Sequence, residues 1–446
     1  MRKTLVKSEE FKDSPLGKIP KNWETPLLEE VCSLITNGYV GPTRDIYREF
    51  GIPYLVAKNI KPNSLIKEAF AFVDEAFQRT NQRSILREGD VLTVQTGFIG
   101  DSCVVPKEFD GANCHALIIS RPIVQKLHPR WLSEYFNSKL GRKAFARIAT
   151  GMAHPHLNST LVRKLRIPIP PYEEQQLAAQ IFDTIDSAIA HTSSLIAKLK
   201  LMKAGLLHDL LTRGLDEKGE LRDAIGHPQQ FKDSPLGQIP KDWEVVTVAD
   251  IATDVTDGDH HTPERSDSGV FLLSARNVLN GYLALEDVDF VPEHEYQRMI
   301  RRCNPEPGDI LISCSGTIGR VCEVPANFRC VLVRSAALVK LEPTRCQSRF
   351  IEAVLQSDIV QSQILMEQLQ AAQPNLFQGS INCLRFALPP LNEQERISKI
   401  IDTHNNRIRT EEAYRDKLKL QKKGLMHDLL TGKVRVKDAD KFTPCK

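Results

Sequence analysis

The sequence predicts an α+β protein with a pseudo-two-fold internal repeat: two mixed globular domains, each followed by a long helix carrying a coiled-coil seam. Three observations predict this. The fourteen residues from Phe11 to Glu24 return as Phe231 to Glu244 with twelve identities, at an offset of 220. The eight residues from Gly205 to Thr212 return as Gly424 to Thr431 with seven identities, at an offset of 219. Each octapeptide closes a stretch of about 40 residues with apolar side chains at three- and four-residue steps and no proline, the pattern of a helix packed along another helix. A period this long is no solenoid repeat; it means duplication of a whole domain with its linker.

Composition sets the class. A chain of 446 residues is long enough for two or three domains. At 41% hydrophobic and 26% charged residues it is globular rather than disordered. No run of eighteen apolar residues offers a membrane span. Residues 1–7 contain no apolar segment, so no secretory leader is expected. Ten cysteines without CxxC spacing, in no secreted context, read as reduced thiols of a cytoplasmic protein. A net charge of +3 neither demands nor excludes nucleic acid, because such footprints are local.

In chain order, residues 1–24 hold the first repeated segment and 25–168 the first mixed domain. There Val91-Leu92-Thr93-Val94 reads as a strand, Gly97 and Gly100 as a tight turn rather than a phosphate cradle, and Trp131, Leu132, Tyr135 and Phe136 have helical spacing. Residues 169–213 open on Pro170-Pro171 and form the first helix. Its seam is Ala178, Phe182, Ile185, Ile189, Thr192, Ile196, Leu199, Lys203, Leu206 and Leu210, eight of ten apolar. Residues 214–244 are a polar connector and the second repeated segment. Residues 245–388 form the second domain, with a strand at Ile310-Leu311-Ile312-Ser313, a turn at Gly316 and Gly319, and helical Phe350, Ile351, Val354 and Leu355. Residues 389–432 form the second helix, with only six of ten seam positions apolar (Ile397, Ile401, Ile408, Leu418, Leu425 and Leu429). Residues 433–446 are a tail. Each helix is a rod of roughly 60 Å at about 1.5 Å per residue, ending near Gly214 or Gly432. The copies match closely at their ends and diverge in their middles, which reads as a shared scaffold carrying two specificities.

No catalytic set is present. The phosphate-binding GxxxxGK[ST], the dinucleotide GxGxxG, HExxH and paired-cysteine zinc patterns are absent. Asn304-Pro305-Glu306-Pro307 lacks the aromatic of an amino-methyltransferase signature. Cys314, Cys322 and Cys330 are evenly spaced but read as buried strand thiols. Asp257-Gly258-Asp259-His260-His261 has no further ligands at useful spacing, so no metal is expected.

Together these motifs resemble one family. Ile-Pro-Lys-Asn/Asp-Trp-Glu at 19–24 and 239–244, Ala57-Lys58-Asn59-Ile60 and Ala275-Arg276-Asn277-Val278, Gly-Asp-Val/Ile-Leu at 89–92 and 308–311, Ser315-Gly316-Thr317-Ile318-Gly319, the Pro-Pro-x-x-Glu-Gln helix openings and the Leu-Leu-Thr endings recur in order, twice. The chain resembles the specificity (S) subunit of Type I restriction–modification systems over almost its whole length. The resemblance implies two globular target recognition domains separated by two long helices packed antiparallel as a coiled coil. Each domain then reads one half of a bipartite, asymmetric double-stranded DNA site, and the helices set the spacer. It implies a non-catalytic subunit that binds no cofactor itself. Two modification (methyltransferase) subunits bring S-adenosylmethionine; restriction subunits bring ATP and Mg.

Loops on a rigid scaffold are where base readers are expected. In the first domain the candidates are Asn37, Tyr39, Thr43, Arg44, Lys58, Asn59, Gln95, Thr96, His154, His156 and Asn158. In the second they are His260, His261, Thr262, Arg276, Asn277, Ser315, Thr317, Gln373, Asn375 and Gln378, with Asp257 beside them. Arg and Lys suit guanine edges, Asn and Gln adenine edges; any one of them can instead cap a turn or meet solvent. Residues 25–168 hold 19 Lys/Arg against 13 Asp/Glu, and 245–388 hold 12 against 18. The acidic second domain therefore needs a focused basic patch, expected from Arg265, Arg276, Arg320 and Arg334. The alternatives are the specificity subunit of a related Type II enzyme, a coiled-coil adaptor without DNA specificity, and a free-standing enzyme, against which the missing motifs argue.

Overall fold

The computed structural model describes residues 3–8, 10–68, 70–151, 155–370 and 375–438. It divides into two compact units, Met1–Ser193 with Ala413–Lys446, and Ser194–Glu412. Each unit takes one mixed domain and part of each long helix.

The first unit is built on a four-stranded antiparallel sheet of order Ser102–Val104, Val91–Val94, Leu117–Pro122, Cys32–Asn37. Val91–Val94 is buried throughout because helices and a second sheet cover both its faces, which is why it reads as an unbroken apolar run. The second sheet orders Asn113–Cys114, Ile52–Leu55 and Ala71–Val73, its first pair parallel. The second unit repeats this topology: Val321–Glu323, Ile310–Ser313, Ala336–Leu341, Ala252–Asp257, then Cys330–Leu332, Val270–Leu273 and Asp289–Val291. Both expected apolar rhythms fold as helices, Pro129–Asn137 and Ser348–Leu355. The turn glycines Gly97 and Gly316 have φ of 83° and 69°, a conformation that glycine adopts without strain. Cys314, Cys322 and Cys330 are buried free thiols, and burial pushes Cys314 and Cys330 up to about 12.

The long helices are Tyr172–Thr212 and Leu391–Leu430. None of the ten seam positions on either helix is exposed. Within each unit the two helix segments run antiparallel. In the first unit, Glu174 pairs with Arg435 just past the second helix, and Asp186 with Lys422 further back along it. In the second, Lys200 pairs with Glu412, and the N–H of Leu215 donates to Glu393.

The repeated motifs tie each domain to its helix. Gln175 and Gln394, both fully buried, each accept one backbone N–H (His128, Gln347) and donate to two carbonyls (Lys126 and Pro170; Arg345 and Pro389). Trp23 and Trp243 are fully buried, and the Trp243 indole N–H donates to Glu393 at 3.1 Å. Gly214 ends the first helix at φ 64°, so close to Arg222, Glu393 and Trp243 that a Cβ there would lie within 2.5 Å of all three. Asp90 and Asp309 of the Gly-Asp motif are buried beside Arg121 and Lys340, at 2.7 and 2.8 Å. The terminal strands Lys3–Lys7 and Val434–Asp438 pair antiparallel within the first unit.

Candidate nucleic-acid interface

In the first unit the sheet register assembles a polar sheet end. Asn37 lies opposite Ile118 and Val94 opposite Leu117, so the C-terminal ends of the two strands flanking Leu117–Pro122 converge where that strand begins. Gly38 follows Asn37; a Cβ there would stand 2.6 Å from the Cys114 carbonyl, so the close crossing requires glycine. Gln95 follows Val94, and its side-chain amide lies 2.9 Å from His156 Nε2. Both Asn37 Oδ1 and Gln95 Oε1 are buried and bond to nothing in the protein. Buried acceptors left open at one sheet end are a place where an incoming donor is rewarded. Beside them is a groove of about 480 Å³ lined by Asn37, Tyr39, Arg79, Asn81 and Arg83. Tyr39 is half-buried, edge-on to Phe77 at 5.1 Å.

The second unit places different chemistry on the same frame. Asp257 replaces Asn37 and is held by three donors: Arg302 at 2.7 Å, His260 at 2.6 Å and Gln378 at 2.9 Å. Burial alone would raise its carboxyl, but bonds from Arg302 and His260 hold it below the usual carboxylate range. Asp259, in the place of Tyr39, is bound by Arg298, which also grips Glu295. Asn375, in the place of His156, has a buried Oδ1 without a partner.

The structure therefore brings together Asn37, Tyr39, Gln95, Thr96 and His156 in one unit, and His260, Asn375 and Gln378 in the other. Arg44, Lys58, Thr96, His261, Thr262 and Thr317 are exposed; Thr43 and Ser315 are half-buried. Two expectations are corrected, and Asn158 is placed as an exposed helix cap. Asn59 and Asn277 do not face a base edge. They are buried turn clamps, accepting the N–H of Val56 and of Ser274 at 3.0 Å each, and Asn277 also donates to the carbonyls of Ala284 and Asp287. Asn158 caps the helix Ser159–Arg163 through the Thr160 N–H at 2.8 Å. The basic patch is half neutralised in place: Arg276 pairs with Asp289 at 2.9 Å and Asp287 at 3.4 Å, and Arg265 reaches Asp289 at 3.7 Å. Arg320 is half-buried and Arg334 exposed. His154 and Gln373 lie outside the described residues.

Sequence reasoning missed Arg79, Arg83 and Arg298, which lie in the short helical segments Glu75–Thr80, Gln82–Ser84 and Glu293–Met299, and Arg302, just past the last of these; none carries a motif. It also missed Phe98, 76% exposed at the turn tip with the Lys61 ammonium 5.2 Å from its ring centre. The signal for Phe98 was an aromatic between Gly97 and Gly100 with nothing nearby to bury it.

Comparison with known proteins agrees with this duplicated architecture. The chain is 24% identical over 445 residues to the Type I restriction enzyme MjaVIII specificity subunit of Methanocaldococcus jannaschii, covering 97% of this chain and 98% of that one. It is 23% identical to the Type I restriction enzyme EcoKI specificity subunit of Escherichia coli (strain K12), over 67% of this chain and 62% of that one. The fold matches the Type I restriction–modification S subunit of M. genitalium with a TM-score of 0.58 at 14% identity, covering 92% and 96% of the two chains. The model of the Type I restriction modification DNA specificity domain matches twice, at residues 20–201 and 240–420, once for each copy of the repeat, and the chain belongs to that family.

Proposed function

We propose that this chain is the non-catalytic, sequence-specific DNA-binding subunit of a Type I restriction–modification complex. Each domain reads one half of a bipartite, asymmetric double-stranded site. The long helices set the gap between halves and dock two modification subunits, which supply S-adenosylmethionine chemistry; restriction subunits join with ATP and Mg. The observation that carries this reading is the contrast within the repeat. The buried framework is the same in both units, and Arg298 and Arg302 match Arg79 and Arg83, whereas Asp257, Asp259, Cys314 and Asn375 stand where the first sheet end has Asn37, Tyr39, Gln95 and His156. One frame with two different polar faces suits two different half-sites.

The first face offers Arg44, Lys58, Arg79 and Arg83 toward phosphates, and Asn37, Gln95 and His156 toward base edges. The second offers Gln378 and Asn375 as base readers, with arginines largely committed to its own carboxylates. It therefore depends on base contacts and on its partners for affinity more than on phosphate attraction. The test is to co-express the chain with its neighbouring modification subunit and map methylated adenines across the host genome. A single motif of two short specific halves around a fixed gap is the expected result. A motif with one defined half would mean that the acidic domain does not read DNA; methylation without any motif would favour an adaptor.

A further inference from the structure

In the first unit the Lys422 ammonium sits where the helices meet the recognition domain. It is held by Asp186 at 2.7 Å and by the fully buried Glu134 at 3.4 Å. Arg130 completes the cluster, reaching Glu134 at 2.8 Å, Asp183 at 3.0 Å and also Asp186. The internal repeat supplies a matched comparison. At the offset of 219, Lys422 corresponds to Lys203, Arg130 to Arg349 and Asp183 to Asp402, but Glu134 corresponds to Ala353 and Asp186 to Asn405. The second unit keeps the lysine and lacks both carboxylates that hold its counterpart. Among the described residues no carboxylate lies within 4.0 Å of Lys203.

A cavity of about 480 Å³ opens at this place, lined by Lys200, Lys203, His208, Tyr282, Asn405 and Arg409. Asn405, the site of one lost carboxylate, is part of its wall. Among the described residues, four further carboxylates border the cavity or lie beside it, Asp402 being close enough to act on Lys203 without pairing with it. Glu412 is taken by Lys200 at 2.6 Å. Glu352 is tied to Arg349 at 3.5 Å, one position along the helix from where Glu134 stands in the first copy. Asp358 is the first residue of the helix Asp358–Gln370. Arg409 spends one donor on the Gly281 carbonyl at 2.7 Å. Burial pulls the Lys203 ammonium below its ordinary range; Glu352 and Asp402 work against this, Arg409 and Lys200 with it. A half-buried ammonium among further cations, with no counter-ion of its own, is a site that a bound anion stabilises.

We propose that this cavity binds a small oxyanion-bearing molecule, a phosphate monoester or a carboxylate, whose charged group stands in for the two carboxylates that the second copy lacks. Its volume is that of small-molecule sites, and the assignment is independent of what DNA the domains read. The test is thermal unfolding of the full chain with inorganic phosphate titrated against chloride at constant ionic strength. The expected result is a saturable rise of about 5 °C. Lys203→Met abolishes it. Asn405→Asp, which restores one counter-ion as in the first copy, raises the phosphate-free Tm and also removes the response. A rise of equal size in all three chains would be a general salt effect and would overturn the proposal. So would the absence of any response in the natural chain. If phosphate does nothing while Lys203→Met weakens capture of the modification subunit, the lysine serves a partner's carboxylate and the small-ligand assignment is wrong.

Discussion

Asp257 stands where the first domain has Asn37, and this one exchange decides what each face can offer a phosphate. In the second domain the carboxylate holds Arg302 at 2.7 Å. Its counterpart in the first domain, Arg83, has no ion-pair partner among the described residues. Asp257→Asn therefore releases Arg302, and the account predicts tighter DNA binding with a salt dependence steeper by about one unit of slope. Fluorescence anisotropy on the methylated motif across a salt series measures this; an unchanged slope would mean that Arg302 does not face DNA. Glu352 gives a second prediction at this scale. Burial, reinforced by Glu323 and Asp402 and opposed by Arg349, raises its carboxyl to about 7. The folded state therefore binds a proton more readily than the unfolded one between the ordinary Glu value and 7. Stability falls as pH rises through that window, by at most on the order of 3 kcal/mol. Glu352→Gln should stabilise the chain at pH 8 and change little at pH 4, read from denaturant midpoints; equal effects at both pH values would contradict this. Asn59 and Asn277 show the limit of reading single residues. A repeated Asn in a loop looks like a base reader, but recurrence in both copies marks it as framework, because two faces reading different half-sites have no reason to share it.

The long helices were the most legible elements. Their seam is a one-dimensional pattern, and every seam position is shielded although the second helix carries four polar residues there. Three of the four are answered locally: Lys422 sits in an ion-pair cluster, Glu411 pairs with Arg407 at 3.1 Å and Arg415 with Asp416 at 2.9 Å. What the pattern could not give was the use of the opposite face. Leu201 and Leu420 occupy the same position in the two copies and are 76% and 69% exposed. Each is followed by a glycine, Gly205 or Gly424, with open space above it, and by an exposed histidine, His208 or His427. Under the proposed function, this repeated exposed pair is where the two modification subunits would dock. Ile196→Ala, in the seam, should cost about 2–5 kcal/mol of stability. Leu201→Glu and Leu420→Glu should leave stability within about 0.5 kcal/mol but abolish co-purification of the modification subunit. Chemical denaturation and affinity capture separate the two outcomes, and retained capture would sink the docking assignment.

At the scale of the whole molecule, the repeat made the architecture readable. Duplication sets the number of domains, and the matching ends of the copies mark the scaffold apart from their divergent middles. The recognition faces were only partly legible, because they assemble by sheet register. Asn37, Gln95 and His156 lie up to 119 positions apart and meet only because the two strands flanking Leu117–Pro122 end together at its start. The arginines of the second face were equally hidden, since a positive side chain in sequence says nothing about the carboxylate that neutralises it in the fold. The acidic balance of that domain is thus a local matter of paired charges. The central claim is that the two faces read separate halves of one site. It is tested most directly by methylome mapping of the assembled complex carrying Arg44→Ala with Asn37→Ala. The account predicts that one half of the motif degenerates while the other half and the gap stay fixed. Loss of specificity in both halves together, or in neither, would contradict it.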